Sequence, residues 1–151
     1  MSHEKPTPER LAELTAAAMY ERDTASQGLG IAIEEVRPGY ARLRMTVRGD
    51  MLNGHGTCHG GFVFALADSA FAFACNSRDR MTVAAGAAIE FLAPARAGEV
   101  LVAEAEEQAL GGRLGVYDVV VRREGQGTRV ALFRGRSCAL NGTVIRGEGR
   151  P

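Results

Sequence analysis

Residues 59–76 read HGGFVFALADSAFAFACN, and this stretch decides the fold. From Phe62 to Cys75 the only polar side chains are Asp68 and Ser69. A helix built from such a run is apolar on nearly every face and belongs in a core. The run is shorter than the roughly 20 residues a bilayer span requires, so it reads as a core helix and not as a membrane anchor. The carboxylate at its centre is the anomaly. Burying an unpaired carboxylate costs several kcal/mol or raises its pKa, so Asp68 is expected to be paired, hydrogen-bonded or chemically active.

Outward from the helix, the preceding RGDMLNGHGTCHGG (residues 48–61) is glycine-rich and without periodicity, a loop that feeds the helix start. Before it, IAIEEVRPGYARLRMTV (residues 31–47) reads as two strands around a Pro38-Gly39 turn. In the second, Ala41, Leu43, Met45 and Val47 alternate with Arg42, Arg44, Thr46 and Arg48, the period-2 pattern of a strand with one wet face. At the N-terminus, Thr7 as N-cap, Pro8 at the first helical position and a stripe through Leu11, Leu14 and Ala18 predict a short helix within a 1–25 extension. After the long helix come strand candidates at residues 81–92, 99–109, 113–123 and 128–140, joined by short turn-like segments that predict an antiparallel meander. Residues 141–151 read as a frayed tail. The expectation is a single α+β domain over 1–151, with a curved antiparallel sheet of about six strands wrapped around one long buried helix.

Composition narrows the setting. A chain of 151 residues suits one domain with a substantial core. Its 18 basic and 18 acidic side chains leave no net charge, so no nucleic-acid partner and no acidic membrane surface is expected. The N-terminus lacks the basic-then-apolar order of a signal peptide, and three cysteines without a close pair suit a reducing compartment, which together point to the cytoplasm. Cys75 and Cys138 sit among apolar neighbours as core thiols.

Several readings of the loop and helix compete. Asp68 as a structural cap with His59 as a satisfied core histidine is one. A metal site from His55, Cys58, His59 and Asp68 is another, although their spacing matches no familiar zinc pattern. A Cys58 nucleophile with a histidine base is a third. In the fourth, HGG places small residues at a helix start, where free N–H groups and the positive end of the helix dipole receive an oxygen acquiring negative charge. Glycine there permits close approach to the backbone, and a buried carboxylate can orient or deprotonate water. Together these suit attack on an activated acyl group, with no metal required.

MLNGHGTCHGGFVFALADSAFAFACN (residues 51–76) resembles the core motif of hot-dog acyl-CoA thioesterases, most closely the phenylacetic acid degradation (PaaI-type) branch, and IEFLAPARAGEVL (residues 89–101) resembles the strand and turn that follow. The resemblance implies the hot-dog fold and hydrolysis of an acyl-CoA, phenylacetyl-CoA or a hydroxylated relative, to free acid and CoA. It implies Asp68 as the catalytic carboxylate, Gly60 as the oxyanion-hole donor, and Asn53 and His59 as polar residues positioning thioester and water. Gly61 joins them as a substrate contact. No cofactor is implied beyond the CoA portion of the substrate. Many such enzymes carry a serine or threonine facing the helix; the position falls near Ala84, where there is no hydroxyl, with Thr82 out of phase. Arg113, Arg96 and the pair Arg122 and Arg123 are candidates for the coenzyme phosphates, and Arg113 is the one assigned to substrate. The family's dimer, often doubled to a tetramer, carries over as an expectation. Helix geometry supports it: Gly60 and Asp68, eight residues apart, lie about 12 Å from one another along one helix, so a joint action on one thioester needs a second, antiparallel copy. Two alternatives on the same fold are a non-catalytic acyl-CoA sensor and a hydroxyacyl-thioester dehydratase using His59 with Asp68.

Overall fold

A computed structural model describes residues 4–147. Along the chain lie α1 (Pro8–Arg22), α2 (Thr24–Gly28), β1 (Ala32–Arg37), β2 (Tyr40–Thr46), a 3-10 turn (Gly49–Met51), α3 (Gly60–Cys75), β3 (Thr82–Phe91), β4 (Val100–Gly111), β5 (Leu114–Arg123) and β6 (Arg129–Ala139). The six strands form one antiparallel sheet in the order β1-β2-β4-β5-β6-β3, and α3 packs across it. This is the predicted hot-dog arrangement. The β2 alternation holds: Ala41, Leu43, Met45 and Val47 are buried, while Arg42 and Arg44 lie on the wet face with Glu34 and Glu124.

Small residues on the sheet let α3 approach closely. A Cβ at Gly135 would come within 2.8 Å of the Phe71 ring, which also meets Tyr117 and Phe133 at centroid distances of 5.6 and 5.8 Å. Val63, Leu66, Ala67, Ala70, Phe71, Phe73 and Ala74 complete the buried face of the helix. Burial of each larger side chain contributes about 1.5–3 kcal/mol. The expectation of burial on nearly every face is corrected, because Gly61, Ala65, Asp68 and Ala72, spaced i, i+4, i+7 and i+11, form a stripe that the chain leaves partly open.

The meander expectation holds only for β4, β5 and β6. β4 pairs with β2, placing Ala103 opposite Leu43, whereas β3 sits at the far edge on β6, with Ile89 opposite Phe133. The reason is that residues 92–98 make no hairpin; they run along the end of the sheet, past the start of α3. Leu92 N–H donates to the Val130 carbonyl, Cys58 N–H to the Ala95 carbonyl and Gly98 N–H to the Val47 carbonyl. β3 is therefore an edge strand, carrying exposed Val83, Ala84, Ala85, Ala87, Ala88 and Phe91.

Two smaller expectations also change. Thr7 caps α1 and Pro8 opens it, but the buried face is Ala12, Thr15 and Ala16, and Leu14 is 38% exposed. Small residues seat this helix against β1, and the Thr15 hydroxyl is satisfied by the Leu11 carbonyl at 2.7 Å. As far as Gly147, the tail is docked and not frayed. Val144 is buried, its carbonyl accepts from Arg22 at 2.9 Å, and Ile145 N–H donates to Asp79 at 2.8 Å. Residues 148–151 lie outside the described residues. Among the described residues, no helix is long and apolar enough to cross a membrane.

Candidate active site

The start of α3 is built by the loop before it. Asn53 folds that loop on itself: its N–H donates to the Thr57 carbonyl at 2.8 Å, and its Oδ1 accepts from His55 N–H at 2.9 Å and from Thr57 N–H and Oγ1 at 3.3 Å. His59 is then the N-cap. Its carbonyl accepts from Phe62 and Val63, and its Nδ1 accepts from Gly61 N–H at 2.9 Å. A neutral imidazole accepting at Nδ1 carries its proton on Nε2. Of the first N–H groups of the helix, the one left without a partner among the described residues is that of Gly60. It opens beside a cavity of about 380 Å³ lined by Asn53, Thr57, Gly60, Phe91, Leu92 and Val130, among others. Glycine at 60 leaves room for the Phe91 ring, since a Cβ there would lie 2.9 Å from it and push it aside.

Asp68 stands two turns further on, along the open stripe of α3. Its carboxylate has no hydrogen-bond or ion-pair partner among the described residues, and burial raises its pKa above the ordinary carboxylate range. The capping reading of Asp68 therefore fails, as does the core-histidine reading of His59, which is exposed. Cys58 is a poor nucleophile here. It is buried, its thiol pKa is raised by desolvation, and its Sγ points to the His59 carbonyl. Among the described residues, no three His, Cys, Asp or Glu side chains converge as a metal site.

Asn53 and Gly60 thus share one cavity, with His59 and Gly61 bonded to one another at its edge. Asp68 does not line that cavity. Gly61 has no free N–H to offer. Arg113 is more distant still: it sits on the β4–β5 turn, donating to the Ala139 carbonyl at 3.1 Å and to Asn141 Oδ1 at 3.0 Å, near Cys75 at the opposite end of α3. Arg123 is held by Glu99 and the Pro94 carbonyl. The Thr82 hydroxyl is bonded to the Arg80 carbonyl, and Ala84 is exposed. Sequence reasoning missed Asn76, a buried latch between α3 and β3. Its Nδ2 donates to the Ala72 and Thr82 carbonyls at 2.9 and 3.0 Å, and its Oδ1 accepts from Thr82 N–H at 2.9 Å. An asparagine directly after an apolar helix was the available signal.

Residues 55–130 match the family model described as the thioesterase superfamily. The chain belongs to the thioesterase superfamily. This superfamily member is 48% identical over 129 residues to the acyl-coenzyme A thioesterase PaaI of Escherichia coli (strain K12), a match spanning 85% of this chain and 91% of that one. The solved structure of the E. coli PaaI protein from the phenylacetic acid degradation operon superposes with a TM-score of 0.89 at 45% identity, covering 91% of this chain and 99% of that chain. A solved protein of Thermus thermophilus gives 0.75 at 43% identity over 79% of this chain and 99% of its own.

Proposed function

We propose that this chain hydrolyses an acyl-CoA to free acid and CoA, and the observation that carries the reading is the unpartnered, half-buried Asp68 carboxylate on a helix whose N-terminal Gly60 N–H is also free. The thioester oxygen accepts from Gly60 N–H at the positive end of α3, where charge developing on the oxygen is stabilised. Asp68 acts as general base on water, or as nucleophile on the acyl carbon. Asn53 and the Nε2–H of His59 line the approach and position thioester and water. Gly61 contributes room, because a Cβ there would crowd His59 Nδ1 at 3.1 Å.

One chain holds Gly60 and Asp68 about 12 Å apart along α3. Two features support a second copy as the missing half: the open Gly61–Ala65–Asp68–Ala72 stripe and the unpaired β3 edge with its exposed alanines. An antiparallel copy across a two-fold axis sets its Gly60 beside this Asp68 and makes two equivalent sites. The dimer doubles to a tetramer in this reading. The named activity of the E. coli relative supports acyl-CoA as the substrate class, and the operon named for its structure supports an aromatic acyl group, phenylacetyl or hydroxylated. The three free cysteines fit the reducing cytoplasm. A panel of acyl-CoAs assayed with a thiol reagent tests the proposal. Free CoA thiol is the expected product; a change in enoyl absorbance without thiol release identifies a dehydratase instead, and binding without either identifies a sensor.

A further inference from the structure

Phe91 is the last residue of β3, and its side chain is left half in water, 54% exposed. Side chains two apart on a strand share a face, and Ile89 packs against the core, so Phe91 projects from the helix side of the sheet just past the end of that core. It reaches the first turn of α3. A Cβ on Gly60 would lie 2.9 Å from the ring's Cζ, 3.2 Å from Cε1 and 3.5 Å from Cε2. The tip of the ring therefore rests on the flank of the residue whose N–H is free. Gly60 has no left-handed φ, so glycine serves space at this position and not dihedral freedom.

The ring stands on a fixed base. The N–H groups of Leu92 and Ala93 both donate to the Val130 carbonyl, at 2.8 and 3.3 Å, and the Ala95 carbonyl accepts from Cys58 N–H at 2.7 Å. The end of β3 is thus tied to the sheet on one side and, through the crossing, to the loop that feeds α3 on the other. Phe91, Gly60 and Asn53 line the same cavity of about 380 Å³. Among the described residues Phe91 is the one aromatic side chain along it, and no charged side chain lines it.

We propose that Phe91 is the wall of the oxyanion slot: its ring packs against the bound thioester beside Gly60 N–H, keeps water from that donor and strengthens its hydrogen bond to the thioester oxygen. The inference rests on the acyl-CoA reading and adds to it a residue that touches substrate. A hydrogen bond to developing charge is worth more where water is excluded, because the effective dielectric falls. The gain grows with the charge on the oxygen, so it belongs to the transition state more than to the bound substrate. Gly60 and Phe91 then act as a unit, in which the first leaves the space and the second closes it to water.

A double-variant cycle with phenylacetyl-CoA tests this. Phe91→Ala is expected to lower kcat about tenfold while KM changes less than about twofold, the pattern of an interaction made in the transition state. Phe91→Leu, which keeps apolar bulk, is expected to recover part of the loss. In a Gly60→Ala background, where the added Cβ has already displaced the ring, Phe91→Ala is expected to change kcat less than about twofold. Losses that simply multiply, or an unchanged kcat in Phe91→Ala, overturn the wall. Sedimentation of each variant separates the wall from a contact between copies: a mass that falls along with activity makes Phe91 an interface residue and also overturns it. Infrared spectroscopy gives a readout outside turnover. The isotope-labelled thioester carbonyl of phenylacetyl-CoA bound to Asp68→Asn is expected to absorb below its frequency in free solution, and adding Phe91→Ala is expected to remove about half of that shift. A shift indifferent to Phe91 overturns the wall. A shift that depends on Phe91, in a protein whose wild type cleaves no thioester, overturns the hydrolase reading and leaves the wall standing.

Discussion

At the scale of the residue, Asp68 carries the account. A carboxylate held without partners in a half-buried position is a cost the fold carries for chemistry, and the sign of that cost is testable. Because burial raises its folded-state pKa, the native state binds the Asp68 proton more tightly than the unfolded chain does. Its contribution is therefore unfavourable above the unfolded pKa and disappears once pH falls below it, where both states are protonated. Asp68→Asn is accordingly expected to be at least as stable as wild type at pH 7, with the difference vanishing below about pH 4, the ordinary aspartate range. It is also expected to lose at least about two orders of magnitude in kcat, as general-base and nucleophilic roles imply. Thermal unfolding at the two pH values together with steady-state kinetics checks both. A variant that is less stable yet turns over normally would make Asp68 structural. In wild type the acid limb of kcat/KM should lie above the usual carboxylate range, since the free carboxylate is the active form.

At the scale of the element, α3 is held at its N-terminal end by a side chain that is not among the usual caps. His59 replaces the usual Ser, Thr, Asp or Asn, and its ring nitrogen satisfies Gly61 N–H. His59→Ala should cost about 1 kcal/mol, while His59→Asn should restore that stability because asparagine caps well. Chemical denaturation reads the stability and the same two variants assayed for turnover read the second role. If His59 positions substrate through Nε2–H, both lose activity; if it only caps, the asparagine variant is active. The helix itself was legible because no other use of residues 62–75 buries so much apolar surface. The β2 alternation was legible for the same reason. Strand order was not, because residues 92–98 look like a turn and act as a crossing whose partners, Cys58 and Val47, are distant in sequence. The α1 stripe misled because large residues were favoured over the alanines that permit close packing.

At the scale of the whole molecule, the chain looks like half of a site. Gly60 with Asn53 occupies one end of α3, Asp68 its middle, and the helix stripe and β3 edge that would meet another copy remain open. Placing a charge on that edge opposes strand pairing. Ala87→Lys is thus expected to give a folded monomer with little activity, seen as the mass of a single chain by sedimentation alongside an unchanged far-ultraviolet spectrum; an active monomer would remove the need for a partner. The most direct measurement co-refolds Asp68→Asn chains with Asn53→Ala chains, each inactive alone in this account. In a mixed dimer one site carries both lesions and the other neither. Free assortment makes about half the dimers mixed and restores roughly a quarter of wild-type activity if the two sites act independently. No recovery, with mass spectrometry showing that mixed dimers have formed, would place Asn53 and Asp68 in one chain's site and contradict the shared centre.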